Sequence, residues 1–215
     1  MRIAGRGVPQ KKFLQILSLI LFSLFATLAE AQRWPADYWH EGKIVLVQGD
    51  TLRGSLKYDL QQNIVLLGRG GNTLDTYSAR KVLYFEIFDV TAKRYRQFYA
   101  LPYAAAGSYE TLIFFEFLED GKLTLLSRES VEYRTQTQGF YGGITYSQQI
   151  LVYQYFFLNE KGQLEEFSGG KSELLNLMGR YADHVDKYMR ANRLRIDDKY
   201  DFARIVAYYN SLQGT

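Results

Sequence analysis

The stretch of this chain whose residue types best suit ligand binding is Tyr133–Gln149 (YRTQTQGFYGGITYSQQ), which combines aromatic and glutamine side chains. It connects two predicted strands and is long for a hairpin connection, and long connections in compact domains are often functional. Aromatic faces flanked by amide donors and acceptors suit sugar rings or a peptide surface. The candidate binding residues are Tyr133, Phe140, Tyr141 and Tyr146. The alternative is a mobile loop whose tyrosines partly cover the edge of a sheet.

Signals for catalysis are weak in this chain. Paired carboxylates for glycosidic cleavage could be drawn from Glu116, Glu119, Glu129 and Glu132. Glu116, however, alternates with two phenylalanines, which is the pattern of a half-exposed strand residue, so we expect a solvated face here. The chain has no G-x-S-x-G motif. We therefore predict no catalytic residues and a non-catalytic protein.

Residues that bind metals in proteins are also sparse. The chain has no cysteine, and its two histidines, His40 and His184, are far apart in sequence, so we expect no zinc site. Asp197, Asp198 and Asp201 cluster, but their spacing lacks the alternating ligands and central glycine of a calcium loop. We expect Asp198 to cap a helix instead. No metal and no cofactor are predicted.

A short glycine-rich segment, Gly169–Ser172, follows a predicted strand and precedes a predicted helix. A phosphate-binding loop would need a further glycine at position 165, where this chain has Glu165. We therefore interpret the segment as a turn and helix start.

The N-terminal segment 1–31 has the order of a secretory signal peptide. Basic residues precede the apolar run Phe13–Leu28, and Ala29-Glu30-Ala31 supplies small residues at a cleavage site, which makes Gln32 the predicted mature N-terminus. The alternative is an uncleaved membrane anchor, but a spanning helix needs about 20 apolar residues. No later run is long enough to span, so we expect no transmembrane segment in the mature chain.

The charge of the mature chain argues against nucleic acid as a partner. The full chain has 26 basic and 23 acidic residues, and four of the former and one of the latter lie in the signal. The mature chain is therefore balanced and has no long-range field to attract phosphate backbones. We expect the basic cluster Lys93–Arg96 to be solvated turn residues.

The order of β-prone runs and turn residues predicts a mainly β (α+β) fold. Ten predicted strands form five successive hairpins, with turn signals such as Gly49-Asp50, Asp120-Gly121 and Lys161-Gly162. All 18 tyrosines and 11 of the 14 phenylalanines lie after the signal segment, which adds to this expectation because aromatic residues favour strands. We expect an antiparallel meander of about ten strands, either rolled into a barrel or folded into a two-sheet sandwich.

After Phe167 the apolar period changes to about 3.6, which predicts three short amphipathic helices. They are Lys171–Gly179, Ala182–Asn192 and Asp198–Leu212. The predicted organisation is a signal peptide (1–31), an antiparallel β domain (32–170) and a helical C-terminal part (171–215) packed on the same domain. A separate helical docking module is the alternative.

Two stretches carry a resemblance. Glu41–Asp59, followed by Tyr77–Val82, resembles the opening of uncharacterised secreted proteins of Bacteroidota, which often begin with a G-x-I-x-x-x-x-G-D-T-L-x-G hairpin. The tail, including Leu174-Leu175, Asn192–Leu194 and Ile205–Leu212, is similar to helical ends in proteins of the same bacteria. The resemblance implies a bacterium with two membranes and supplies no catalytic residues.

Together these observations lead us to expect an exported, envelope-associated interaction or structural protein. Its destination would be the periplasm, the periphery of the outer membrane or the outside of the cell, and its partner an envelope protein or a glycan. The alternative is a module that binds a glycan or small ligand through the aromatic loop or a barrel interior. A hydrolase of envelope polymers is the least favoured expectation.

Overall fold

The computed structural model describes residues 33–70, 73–104, 109–138, 144–159 and 161–214. The predicted signal segment lies outside the described residues, as do Phe140 and Tyr141. The residues from Pro35 onward form one compact unit.

Ten antiparallel strands in one sheet make up most of the fold, which confirms the mainly β expectation. The strands are β1 His40–Leu46, β2 Thr51–Asp59, β3 Ile64–Gly68, β4 Leu74–Ser78, β5 Val82–Asp89, β6 Arg94–Tyr103, β7 Thr111–Glu119, β8 Thr124–Gln138, β9 Ile144–Leu158 and β10 Leu164–Phe167.

The five predicted hairpins are all present, but they do not form a simple meander. The strand order is β10-β9-β8-β7-β6-β5-β1-β2-β3-β4, so β5 pairs with β1 and not with β4. The strands form a single sheet that is not closed, where we expected a barrel or two sheets. The reason is that β2 pairs with both β1 and β3, which keeps the two parts in one sheet.

The sheet folds over on itself at β2. The first part of β2, from Thr51 to Leu56, pairs with β1, and the last part, from Ser55 to Asp59, pairs with β3. Only three residues, 79–81, connect β4 to β5, although these strands are four positions apart in the sheet. A flat sheet would separate them by about 19 Å, more than the roughly 15 Å that this connection can span. The β3–β4 hairpin must therefore curl back toward β5.

Two glycines allow this close approach. Gly42 and Gly54 are cross-strand partners on β1 and β2. A Cβ on Gly42 would lie 2.2 Å from the carbonyl oxygen of Glu86, and one on Gly54 would lie 2.8 Å from that of Gly68. Neighbouring backbones thus occupy the space of both missing side chains, as is typical where a sheet bends sharply.

The folded-over part of the sheet encloses a filled apolar core. Its buried residues come from six strands and two turns, and Ile44, Leu56, Phe85, Phe98 and Phe114 are each 0% exposed. The phenylalanines pack ring against ring, with 4.6 Å between the ring centroids of Phe85 and Phe98. This interior is occupied by side chains.

The C-terminal part contains helices α1 Lys171–Met178, α2 Ala182–Asn192 and α3 Lys199–Leu212. A 3-10 turn, Gly179–Tyr181, joins α1 directly to α2, so the helical part consists of two continuous stretches where we expected three. Asp198 caps α3 as predicted, because its side chain accepts hydrogen bonds from the backbone N–H groups of Tyr200 and Asp201. Gly170 precedes α1 as the predicted helix start.

The helices cover the β8–β9 part of the sheet with a second apolar core. Phe202 of α3 is fully buried, and its ring centroid lies 4.8 Å from that of Tyr155 on β9. Asn210 fixes the other end of α3, because its Nδ2 donates to the carbonyl oxygens of Asp120 (3.0 Å) and Leu123 (2.9 Å). In the described part of the chain, no helix has the length and apolar character needed to cross a membrane.

We expect the substitution Gly42→Ala to lower the free energy of unfolding by about 1–3 kcal/mol, because a methyl group there meets backbone atoms that cannot rotate away. Gly68→Ala is the matched control, since it also lies in a strand and its Cβ would meet nothing closer than the Ser55 carbonyl oxygen, at 3.6 Å. Urea unfolding of both variants tests this. Equal effects at the two positions would contradict the close-approach explanation.

Candidate functional site

The hairpin of β8 and β9 extends well beyond the rest of the sheet. Its 15 cross-strand pairs run from Thr124↔Leu158 to Gln138↔Ile144. β7 meets β8 only between Leu125 and Ser127, and β10 meets β9 only from Tyr155 to Leu158. Residues 128–138 and 144–154 therefore form a two-stranded ribbon with no third strand among the described strands. Its eleven pairs span about 34 Å.

The ribbon contains most of the stretch that we expected to be a loop. Strands occupy Tyr133–Gln138 and Ile144–Gln149, and the structural difference follows from composition, because Thr, Tyr and Ile favour strands. Tyr133 is 71% exposed, and its hydroxyl accepts a hydrogen bond of 2.7 Å from Nε2 of Gln149, its cross-strand partner. The backbone of Tyr146 lies opposite Gln136. The other two candidates, Phe140 and Tyr141, lie outside the described residues.

Arg128 holds one side of the ribbon's base to the body of the protein. Its Nη2 donates to the carbonyl oxygen of Leu60 (2.6 Å), and its Nη1 donates to Phe114 O (3.0 Å) and Asn63 Oδ1 (3.2 Å). Asn63 Oδ1 also accepts a hydrogen bond from the Phe114 N–H (3.2 Å). These contacts provide hydrogen-bond partners for the backbone N–H and C=O of Phe114 where β8 separates from β7. They also attach the ribbon to the β2–β3 turn.

A buried cluster of charged side chains lies on the other side of the base. Its members come from five strands and one helix, and each is at most 6% exposed. They are Tyr58 (β2), Asp89 (β5), Arg96 (β6), Glu116 (β7), Glu129 (β8) and Lys199 (α3). We call this set the Arg96 cluster.

All five N–H donors of Arg96 have an acceptor within the cluster. Nε and Nη2 donate to the two oxygens of Glu116, each at 2.8 Å, and Nη2 also donates to Glu129 Oε2 at 2.8 Å. Nη1 donates to Asp89 Oδ2 (2.8 Å) and to the Tyr58 hydroxyl (3.0 Å). Tyr58 in turn donates to Glu129 Oε1. A guanidinium has no further donors, so its hydrogen bonding is complete.

Lys199 brings α3 into the cluster through Glu116. Its Nζ lies 2.9 Å from Oε2 and 3.2 Å from Oε1 of that carboxylate. Burial alone would raise the pKa of Glu116, but the charges of Arg96 and Lys199 lower it below its usual value. Burial lowers the pKa of Lys199 although Glu116 opposes that effect. Three carboxylates facing two cations leave the ionised cluster with one excess negative charge.

Burial of these residues corrects two sequence expectations. Glu116 and Glu129 are 2% and 6% exposed, so they do not lie on a solvated face. Arg96, which we assigned to a solvated basic turn, is 3% exposed. Both carboxylates are bound to the same guanidinium nitrogen, and a carboxylate held in this way provides neither a free general acid nor a nucleophile.

A groove of about 480 Å³ lies along β9 where β10 ends. It is lined by Tyr153 of the ribbon, by Phe167 and Gly169 after β10, and by Ile196 and Asp197 before α3. Polar and apolar side chains both line it, and it follows the edge of β9 that β10 leaves uncovered.

The described residues contain no group of three or more acidic, histidine or cysteine side chains placed to hold a metal ion. His40 is buried with its Nε2 2.8 Å from the carbonyl oxygen of Pro35, whereas His184 is exposed on α2. Asp198 and Asp201 act at the start of α3, as the capping interpretation predicts.

No family model matches this chain, and neither a curated protein nor a solved structure is significantly similar.

The Arg96 cluster predicts loss of stability in acid. Burial would raise the pKa of Asp89, but hydrogen bonds from Thr91 and Arg96 lower it to about 2. The stabilisation is therefore present above the ordinary pKa near 4 and is lost as pH falls toward 2. We expect the free energy of unfolding to fall by up to about 2 kcal/mol from this group between pH 4 and pH 2.

Urea unfolding at several pH values tests this in the wild type and in Asp89→Asn, which should show a shallower decline in that window. Asp75→Asn is the control, because Asp75 forms a surface ion pair with Arg69 and should change stability by less than about 0.5 kcal/mol. An Asp89→Asn profile as steep as the wild type would contradict the assignment.

Proposed function

We propose that the mature protein is an exported, non-catalytic interaction protein of the cell envelope of a two-membrane bacterium. The ribbon is the surface that it presents to a protein partner. The observation that carries this proposal is the eleven-pair length of the ribbon, along which none of the strands that the structure describes pairs as a third.

The physical argument is that an isolated two-stranded ribbon is marginally stable in water. The side chains from Glu132 to Thr135 and from Ser147 to Gln149 are exposed, so this part of the ribbon buries little apolar surface against its own body. A partner that covers the ribbon would add the buried area that it lacks. Exposed tyrosine suits such a contact, because it combines a large apolar face with a polar hydroxyl.

The filled core favours this proposal over a ligand held inside the folded sheet. Fully buried side chains, including Phe85, Phe98 and Phe114, occupy the interior where a barrel-type ligand would bind. The carboxylates of the Arg96 cluster also support a non-catalytic role. Glu116 and Glu129 are buried and accept hydrogen bonds from cations of the protein itself, so they are not available to a substrate.

Export is the second half of the proposal, and it rests on the order of residues in 1–31. Intact-mass measurement of the protein secreted by its host tests it, and we expect a chain that begins at Gln32. Ala31→Arg should block this cleavage, because the site requires a small side chain, whereas Gln32→Asn should not. A mature mass that still includes 1–31 would contradict cleavage.

In-cell photocrosslinking tests the ribbon. Replacing Tyr133 by a photoreactive phenylalanine analogue should capture one dominant envelope protein. Tyr95 is the matched control, because it is 70% exposed compared with 71% for Tyr133 and lies on β6, away from the ribbon. Capture of the same proteins at both positions would contradict the proposal, and capture of carbohydrate at Tyr133 would replace the protein partner with a glycan.

A further inference from the structure

The free edge of β9 has an unusual composition. The strand Ile144–Leu158 (ITYSQQILVYQYFFL) contains no charged residue, no proline and no glycine. Its neighbour β8 has four charged residues, namely Arg128, Glu129, Glu132 and Arg134. Natural proteins prevent an edge strand from pairing with another chain by charges, proline, bulges or a covering loop or helix. Along 144–154, β9 itself has no charge, proline or bulge, and Gly169 and Asp197 line the groove beside its edge near Tyr153.

The backbone groups at this edge can be assigned from β10. Where the two strands meet, the N–H of Asn159 donates to the carbonyl oxygen of Gln163 at 3.1 Å. Because bonding direction alternates along an antiparallel strand, odd-numbered residues of β9 direct their N–H and C=O groups toward the β10 side. Beyond the end of β10, this places the backbone groups of Ser147, Gln149, Leu151 and Tyr153 along the free edge.

We propose that a second copy of this chain pairs with β9 along this edge, antiparallel and about a two-fold axis at Gln149. The inference rests on the proposed function, in which the ribbon is the interaction surface, and it names the partner at the ribbon's edge. The two sheets would then join into one continuous sheet, and the faces of both ribbons would stay exposed for an envelope partner.

The length of the free edge sets the register of this pairing. The edge is bounded by the start of β9 at Ile144 and by β10, whose pairing begins at Tyr155, and its midpoint is Gln149. Gln149 is also one of the residues whose backbone groups point outward. Full overlap of two copies therefore makes Gln149 face its own counterpart and pairs Ser147 with Leu151 of the other copy. These three pairs supply about six backbone hydrogen bonds.

The side chains favour a copy of the same chain as the occupant. A two-fold axis at Gln149 makes this residue face its own counterpart, so a charged residue at this position would face a like charge. β9 has no charged residue at any position, so no like charges would face each other across the axis. The amide of Gln149 is self-complementary, because it can donate to and accept from an identical amide, and only one of its two N–H donors is used by Tyr133. Both properties meet the requirement of a symmetric contact between two identical strands.

Disulfide trapping tests the register, since the chain has no native cysteine. Facing Cα atoms in antiparallel strands are about 4.5–5.5 Å apart, which lies within the range for a disulfide. We expect purified mature Gln149→Cys to form a covalent dimer on mild oxidation. Tyr133→Cys is the matched control: it lies at the same level of the ribbon, but its counterpart would be three strand spacings, or about 14 Å, away. Equal trapping at both positions, or none at Gln149, would overturn the register.

A charge exchange tests the dimer itself. Gln149→Lys and Gln149→Glu should each raise the dissociation constant of the dimer about fivefold in sedimentation equilibrium, because like charges then face each other. An equimolar mixture of the two variants should have a dissociation constant within about twofold of the wild-type value, because opposite charges then face each other. This rescue separates loss of pairing from loss of folding, because a misfolded variant would not recover on mixing.

The outcomes distinguish this inference from the proposed function. A wild-type protein that stays monomeric, with the Tyr133 crosslink in cells unchanged, would overturn the second-copy pairing and leave the proposed function in place. A dimer with the expected Gln149 disulfide supports the pairing, whether or not Tyr133 captures an envelope protein.

Discussion

The guanidinium of Arg96 is the group on which the arrangement of the whole molecule depends. It binds side chains from β2, β5, β7 and β8 directly, and Glu116 extends the contact to Lys199 on α3. The cluster thus links the folded-over sheet to the helical layer through hydrogen-bonded charges. A buried charge that loses a partner destabilises a protein by about 3–5 kcal/mol, so each of these elements is held by the presence of the others.

The cluster also fixes strand register. Arg96, Glu116 and Glu129 lie on three adjacent strands, and Phe98 faces Glu116 in the ladder between β6 and β7. A slip of one residue in any of these strands would turn its charged side chain to the opposite face of the sheet and leave the remaining charges unpaired. Apolar side chains can repack after a small shift of a strand, whereas the five N–H donors of a guanidinium need their acceptors in fixed directions.

Local features of the fold could be predicted from the sequence, and features that depend on distant residues could not. Gly49-Asp50 and Asp120-Gly121 mark two of the hairpins, and Asp198 marks the start of α3. The β5–β1 pairing leaves no local signal, because the two strands are separated by three others along the chain. Glu116 carried a signal that we misinterpreted: it shares its face with the buried Phe114 two residues earlier. The aromatic and glutamine-rich composition of Tyr133–Gln149 was noted, but its length led us to expect a loop, whereas Tyr133–Gln138 and Ile144–Gln149 lie in strands.

Two consecutive residues explain how a ribbon without a core of its own can keep a defined direction. Arg128 and Glu129 point to opposite faces of β8, and each is bonded to the body, Arg128 through Leu60 and Phe114 and Glu129 through the Arg96 cluster. β8 is therefore clamped on both faces at the level where β7 leaves it. Orientation fixed before binding lowers the entropy lost on association, so a partner or a second copy meets a surface already in position. The buried charges thus help to orient the exposed end of the ribbon, although they contact none of its exposed residues.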